Sequence, residues 1–303
     1  MQALVTGGAG FIGSHVVEAL VARGDEVHVV DDLSKGKREQ VPAAATLHVH
    51  DIREPLDAIV RESGAEAIVH LAAQADVRVS VADPAFDAEV NVLGTVNVLR
   101  AARLVDARIV FASTGGAIYG ECDRPARESD QCLPLSPYGA AKLAGEGYLG
   151  AFGRLYETPH VSLRFGNVYG PRQDPHGEAG VVAIFLGRLR EGAACRIFGD
   201  GSQSRDYVYV EDVTRATVAA LDGDSGGVFN VGTGVATSVL ELYDICRSTV
   251  GTDAAAVHEA ARPGELGRSV LDGELAAATL GFRPETALAS GIAETWESIR
   301  SDQ

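Results

Sequence analysis

Ala3-Leu-Val5 runs without a break into Thr6-Gly-Gly-Ala-Gly10-Phe-Ile-Gly13, and the reading of this stretch decides the fold. A short apolar strand meets a glycine turn. From Ser14 to Arg23 the positions Val16, Val17, Leu20 and Val21 then recur with helical spacing, and Gly24 supplies the stop. Glu26 to Val30 reads as a second strand and ends on Asp31. Strand, glycine turn, helix, strand and acid is the context that makes a set of glycines a dinucleotide fingerprint, against the bland reading of a plain turn in a nucleotide-free domain. Gly7, Gly10 and Gly13, with Phe11 and Ile12 between them, let backbone amides approach a pyrophosphate at the helix N-terminus. Asp31 is placed to accept hydrogen bonds from a ribose diol, and Asp32, Leu33, Ser34 and Gly36 continue that edge. A carboxylate there repels a 2′-phosphate, so NAD is expected rather than NADP.

Outward from this unit the chain keeps alternating strand and helix. Leu47 to His50 ends at Asp51 and Ile52, and Ala67 to Leu71 ends at Ala72, Ala73 and Gln74. Arg108 to Phe111 ends at Ala112, Ser113 and Thr114, and Val161 to Phe165 ends at Gly166 and Asn167. Helical stretches are expected over Phe86 to Arg103, which contains Asn91, and over Gly139 to Tyr156. The pattern implies an α/β fold of the Rossmann type, a doubly wound parallel sheet with helices on both faces. Ligands gather beyond the carboxyl ends of such strands, so Asp51, Ile52, Leu71 to Gln74, Ala112, Ser113 and Phe165 join the cofactor candidates, and Asn91 of the helical stretch is counted with them. Residues 1–165 are expected to form the cofactor-binding domain, with segments near 206–233 returning to it. Residues 166–303, opening with a turn-rich loop and the apolar helix Val181 to Leu189, are expected to form a smaller substrate lobe.

The chain has 303 residues and a net charge of −16, which argues against nucleic acid or an anionic membrane as partner. It also obliges any anionic substrate to find a local basic pocket. No apolar run is long enough to span a bilayer, and no signal-peptide pattern precedes the first strand. Cys122, Cys132, Cys195 and Cys246 are scattered and suggest neither a zinc site nor a disulfide frame, so a cytoplasmic setting is expected.

Tyr138-Gly-Ala-Ala-Lys142 carries the chemistry. On a helix the two side chains share a face, and an ammonium beside a phenol favours the phenolate, giving a base that works on an alcohol. A packed surface tyrosine is the competing reading, and the glycine fingerprint weighs against it. His48 and His50 alternate along a strand with no third ligand near them, so they are read as packing or surface residues and no metal is expected.

These motifs, together with His70-Leu-Ala-Ala-Gln-Ala75, Asn91-Val-Leu-Gly-Thr95, Arg164-Phe-Gly-Asn-Val-Tyr-Gly-Pro-Arg172, Arg205-Asp-Tyr-Val-Tyr-Val210 and Asn230-Val-Gly-Thr233, resemble the extended short-chain dehydrogenases/reductases over nearly the whole chain. Within the NAD-dependent epimerase/dehydratase family the sequence is most similar to bacterial UDP-glucose 4-epimerases. The resemblance implies that Tyr138 is the base at the sugar 4-hydroxyl and that Lys142 holds the nicotinamide ribose. It implies an active-site hydroxyl on Ser113 or Thr114, with Thr114 preferred. It also implies diphosphate contacts from Asn167, Arg205 and Arg262, with Glu265 nearby. The uracil would lie against the backbone of Val181 and Val182 and the strand at Ile197 and Phe198. Thr114 could otherwise cap a turn, and the arginines could otherwise pair with surface acids. His176 lies in a loop that could face the sugar.

Dehydratases and decarboxylases of the family place an acid close after the active-site threonine, where this chain has Gly115 and Gly116. Without that second acid-base set, the expected reaction is 4-epimerisation of a UDP-sugar. An epimerase acting on UDP-GlcNAc or a UDP-uronic acid, another sugar-nucleotide dehydratase or decarboxylase, and a non-catalytic NAD-binding protein stand as alternatives. By the same resemblance the two long helices are expected to form a homodimer.

Overall fold

Seven strands form the central sheet, in the order Gly227–Val231, Val161–Phe165, Arg108–Thr114, Ala67–His70, Gln2–Thr6, Glu26–Asp31 and Thr46–Val49. Every pairing within it is parallel. The structure is a computed structural model and describes residues 1–175, 180–262 and 265–301. The strands are apolar along most of their length because both faces are covered: Ala3 and Val5 point into one core and Leu4 into the other. The first core is closed by helices Phe11–Ala22 and Val210–Asp222, through Val16, Leu20, Val213 and Ala216. The second is closed by helices Asp57–Ser63, Gly94–Ala102 and Pro137–Tyr156, through Val60, Val98, Leu99 and Leu149. Strand order reverses between Gln2–Thr6 and Ala67–His70, so the crevice of the doubly wound sheet opens beside the glycine turn.

A third core lies outside the sheet. Phe185, Leu186 and Leu189 of helix Val181–Arg190 pack there with Leu242, Tyr243 and Cys246 of helix Val239–Val250 and Ile292 of helix Leu288–Ser301. Small strand pairs tie this part together: Arg196–Phe198 with Val257–Glu259, and Ser204–Arg205 between Thr237–Ser238 and Arg268–Ser269. Asp206, 1% exposed, accepts from the Thr233, Gly234 and Leu271 amides and the Thr233 hydroxyl, and so pins three segments at one point.

Two elements depart from the sequence reading. The expected helix from Phe86 to Arg103 is built as Pro84–Ala88 and Gly94–Ala102 joined by a π-helical turn over Glu89–Leu93. Tyr207-Val-Tyr-Val210 reads as strand-like in the sequence, but the strand ends at Tyr209, and Val210 opens a helix with Glu211 and Asp212 in its first turn. Acids there suit the positive end of the helix dipole. Among the described residues no helix is long and apolar enough to cross a membrane.

Candidate active site

The cofactor end is shaped by close backbone approach. Gly7 has φ of 72°, and a Cβ on it would lie 2.6 Å from the Ala72 nitrogen. A Cβ on Gly13 would lie 2.0 Å from the Gly7 oxygen, so the turn and the first helical turn close only around glycine. Asp31 is 7% exposed and accepts from the Ala9 amide through Oδ2 at 3.0 Å and from the Leu33 amide through Oδ1 at 2.9 Å. Burial raises its carboxyl pKa despite those two bonds. Leu33 takes the left-handed conformation with φ of 59°, and Gly36 leaves room beside Asp31 Oδ1, where its Cβ would stand at 2.7 Å. Asp32 is occupied by the amide and hydroxyl of Ser34.

Other candidates hold the crevice from behind. Asp51 is engaged by Arg53, whose guanidinium keeps its carboxyl below the usual range. Ile52 and Phe165 are buried in core. Asn91 accepts from the Gln74 amide at 3.0 Å and donates to the Gln74 carbonyl at 2.8 Å, so it braces the Leu71–Gln74 loop from below. Sequence reasoning missed His70, which bridges Thr6 Oγ1 at 2.7 Å and Thr95 Oγ1 at 3.0 Å. Burial lowers its pKa to about 3, so the ring is a neutral strut between two strands and a helix.

Helix Pro137–Tyr156 delivers the central pair. Ser136 caps it by accepting from the Gly139 amide, and Pro137 occupies its first turn. Tyr138 therefore sits one turn from Lys142, whose Nζ donates to the Ala112 carbonyl at 2.9 Å and lies 6.0 Å from the Tyr138 ring centre. Burial pulls the lysine down to about 8, with Asp87 and Glu146 opposing that fall. The Tyr138 phenol does not show the lowered pKa expected from its neighbour: burial first, then the charge of Asp87, pushes it up. The phenol is an acid at rest, and more positive charge at the site is required to make it a base.

Ser113 and Thr114 are separated by the strand's alternation. Ser113, 4% exposed, donates to Glu146 Oε1 at 2.5 Å, and Glu146 also receives the fork of Arg164 at 2.9 and 2.6 Å. Arg164 continues the network to the Tyr119 hydroxyl, which donates to Asn230. Thr114 ends the strand, and its Oγ1 and Asn167 Oδ1 both lie within 4 Å of where a Cβ on Gly116 would stand. A Cβ on Gly115 would come 2.5 Å from the methyls of Leu271, itself 1% exposed, so an acidic side chain has no room there.

Beside Asn167 opens a cavity of about 660 Å³. Val181, Phe198, Arg205, Arg262 and Glu265 line it, and the Arg262 guanidinium lies 3.7 Å from the Phe198 ring centre. Arg205 reaches Glu265 at 3.5 Å. The side chains of Val182 and Ile197 are buried in the third core, not directed into the cavity. His176 lies outside the described residues, as do the central two positions of Arg262-Pro-Gly-Glu265. Sequence reasoning missed Arg78, Arg188 and Arg196, so five arginines face two glutamates there, a net of +3 in a chain of −16. Tyr207 lines the same space, with a buried hydroxyl that has no partner among the described residues. Among the described residues, no group of three or more His, Cys, Asp or Glu is arranged to hold a metal.

A glycine cradle at the switch point of a parallel sheet, a buried acid at the second strand, and a tyrosine–lysine pair across the crevice define a class of dinucleotide-dependent enzyme. The chain belongs to the NAD dependent epimerase/dehydratase family, whose model matches residues 3–232. It is 46% identical to the UDP-glucose 4-epimerase of Mycolicibacterium smegmatis over 99% of both chains. Among solved structures, the UDP-glucose 4-epimerase of Thermotoga maritima with UDP-glucose superposes with a TM-score of 0.97 at 44% identity over 99% of each chain. That of Thermus thermophilus in complex with NAD gives 0.96 at 46% identity over the whole of both chains.

Proposed function

We propose that the protein is an NAD-dependent 4-epimerase of a UDP-sugar, interconverting UDP-glucose and UDP-galactose. The observation that carries this choice within the family is the Gly115–Gly116 pair, the first of them walled by Leu271, where a dehydratase needs an acid. The acids that follow are otherwise placed: Glu121 accepts from the amides of Gly267 and Arg268, and Asp123 is exposed. With one acid-base group at the sugar, an oxidised 4-keto intermediate has re-reduction on its other face as its open course.

The residues present fit the cofactor. The Gly7–Gly13 turn, in which Gly7 and Gly13 leave no room for a Cβ, would cradle the pyrophosphate, and the free lone pairs of Asp31 would take the ribose diol. Bound NAD supplies a hydride acceptor that returns what it takes, together with positive charge near Tyr138. Tyr138 would take the 4-hydroxyl proton and later give it back, Thr114 would hold the same oxygen, and Lys142 would place charge beneath both. Ser113 is engaged with Glu146, which supports Thr114 as the working hydroxyl. The arginine surplus supports a diphosphate between Arg205 and Arg262, with the uracil near Val181 and Phe198.

The reading includes two lobes, 1–165 with the 206–233 segments and the remainder of 166–303, and a place in galactose metabolism. The free state of all four cysteines supports a cytoplasmic setting. A homodimer is supported by exposed apolar side chains on the two long helices: Phe86 and Leu93 on one, Tyr148 and Leu155 on the other. Leu155→Glu is expected to halve the mass measured by light scattering, and an unchanged mass would count against this interface. The test of function is incubation with NAD and, separately, UDP-galactose, UDP-GlcNAc and UDP-glucuronate, with products resolved by NMR. Conversion of UDP-galactose to UDP-glucose, reduced about 10²–10⁴-fold in Tyr138→Phe, is expected. A 4-keto-6-deoxy product or a pentose would refute it.

A further inference from the structure

Asp87 is 1% exposed, on the short helix Pro84–Ala88 that packs across from helix Pro137–Tyr156. Its Oδ1 accepts two hydrogen bonds of 2.9 Å, one from Gln74 Nε2 and one from Asn91 Nδ2. The second reaches into the π-helical turn, where Asn91 stands between Asp87 and the Gln74 backbone. Asp87 Oδ2 is buried and has no partner among the described residues. An ionised carboxylate half-satisfied in the interior is costly unless its charge is used.

Across from it on the facing helix are Tyr138 and Lys142, and Lys142 in turn has Glu146 and His70 about it. His70 is neutral. Glu146 is committed to the Arg164 fork and to Ser113, so its charge is largely answered. Lys142 gives one N–H to the Ala112 carbonyl and lies 4.8 Å from the Phe111 ring centre, with no carboxylate in hydrogen-bond reach among the described residues. Asp87, on the helix packed against theirs, is the buried carboxylate that keeps an oxygen without a partner among the described residues.

We propose that Asp87 is a positioning residue for the Tyr138–Lys142 pair, its bare oxygen acting as the counter-charge that keeps the buried Lys142 protonated at neutral pH. Burial alone pulls Lys142 far down, and Asp87 is the larger of the two charges that hold it at about 8. The same charge keeps the Tyr138 phenol protonated until positive charge arrives. One aspartate thus sets both members in opposite chemical senses: the ammonium charged, the phenol neutral.

Asp87→Asn tests this with little disturbance, because Oδ1 can keep both its bonds and only the unpartnered atom changes. The chain's lysines are Lys35, Lys37 and Lys142, so ¹³Cε-lysine labelling gives a sparse spectrum in which Lys142 is assigned by its loss in Lys142→Arg. In NAD-free protein its titration midpoint is expected near 8, falling by about one pH unit in Asp87→Asn and staying in place in Asp87→Glu. An unmoved midpoint in Asp87→Asn overturns the proposal and leaves Asp87 a strut. Should that variant fail to fold, Asp87→Ser carries the same expectation. The consequence for turnover rests on the epimerase reading: the basic limb of the pH–kcat profile should move down by the same amount. Wild-type protein that turns over no UDP-sugar would sink that reading alone, since the lysine titration reports on Asp87 regardless.

Discussion

Replacing Lys142 by methionine should abolish turnover while making the NAD-free protein more stable at neutral pH. The side chain is 3% exposed, and its pKa falls from 10.5 in the open chain to about 8 in the fold. A lysine with a lowered folded pKa binds its proton less readily when native, so it costs stability at every pH below about 8. The cost is relieved as pH rises toward 10.5. At neutral pH it amounts to about 3 kcal/mol. Methionine fills similar volume but leaves the Ala112 carbonyl without its 2.9 Å donor, which returns about 1 kcal/mol. The net gain is about 2 kcal/mol. With an unfolding entropy of about 2.1 cal/mol/K per residue over 303 residues, that is a rise of about 3 °C in Tm. Near pH 10 the two proteins should melt together, and above it wild type should lead. Differential scanning calorimetry of both proteins across this range is the assay. A methionine variant no more stable at pH 7, or a gap that ignores pH, would refute the claim that the ammonium is held against its own desolvation.

Two neighbours should respond in opposite ways to small changes. Ser113→Ala removes a buried donor to a carboxylate and is expected to lower stability by about 1.5–3 kcal/mol with kcat within a few-fold. Thr114→Val should leave the melting point nearly unchanged and lower kcat about 10²-fold. Paired melting and rate measurements check both, and the reverse pattern would hand the active-site role to Ser113. A net charge of −16 repels itself, so moving from dilute buffer to about 1 M KCl, where the Debye length is about 3 Å, should raise Tm. A melting point that is flat or falls with salt would show that self-repulsion is not a governing term.

The parts of the molecule written in local order were legible from sequence. The strand–glycine–helix unit is set by neighbours a few residues apart, and Gly7, Gly13 and Asp31 stand where their spacing put them. Other features depend on pairs far apart in the chain. Tyr119 meets Asn230 across 111 residues, and Ser113 meets Glu146 across 33, so nothing beside Ser113 signals that its hydroxyl is already taken. The π-helical turn at Glu89–Leu93 keeps the apolar spacing of an ordinary helix and left no mark by which to find it. Spacing reports the charge near Tyr138 but not the loss of water around it, which in the cofactor-free chain holds the phenol pKa up. The arginines that join Arg205 and Arg262 come from three separate segments, and only the folded chain shows that they face one space.

The edge strand Gly227–Val231 lies beside Val161–Phe165 but is made much later, after the third core's first helix and the small strands Arg196–Phe198 and Ser204–Arg205. At roughly 5–20 residues per second, a ribosome leaves the apolar strand Val161–Phe165 without its outer neighbour for several seconds. During that interval the growing sheet presents a row of unpaired amides and carbonyls, the feature through which nascent chains join one another. The central sheet therefore cannot finish itself before the rest of the polypeptide has started. Its maturation is vectorial and interlocked, and the opening segments of the third core emerge while the sheet still lacks its margin.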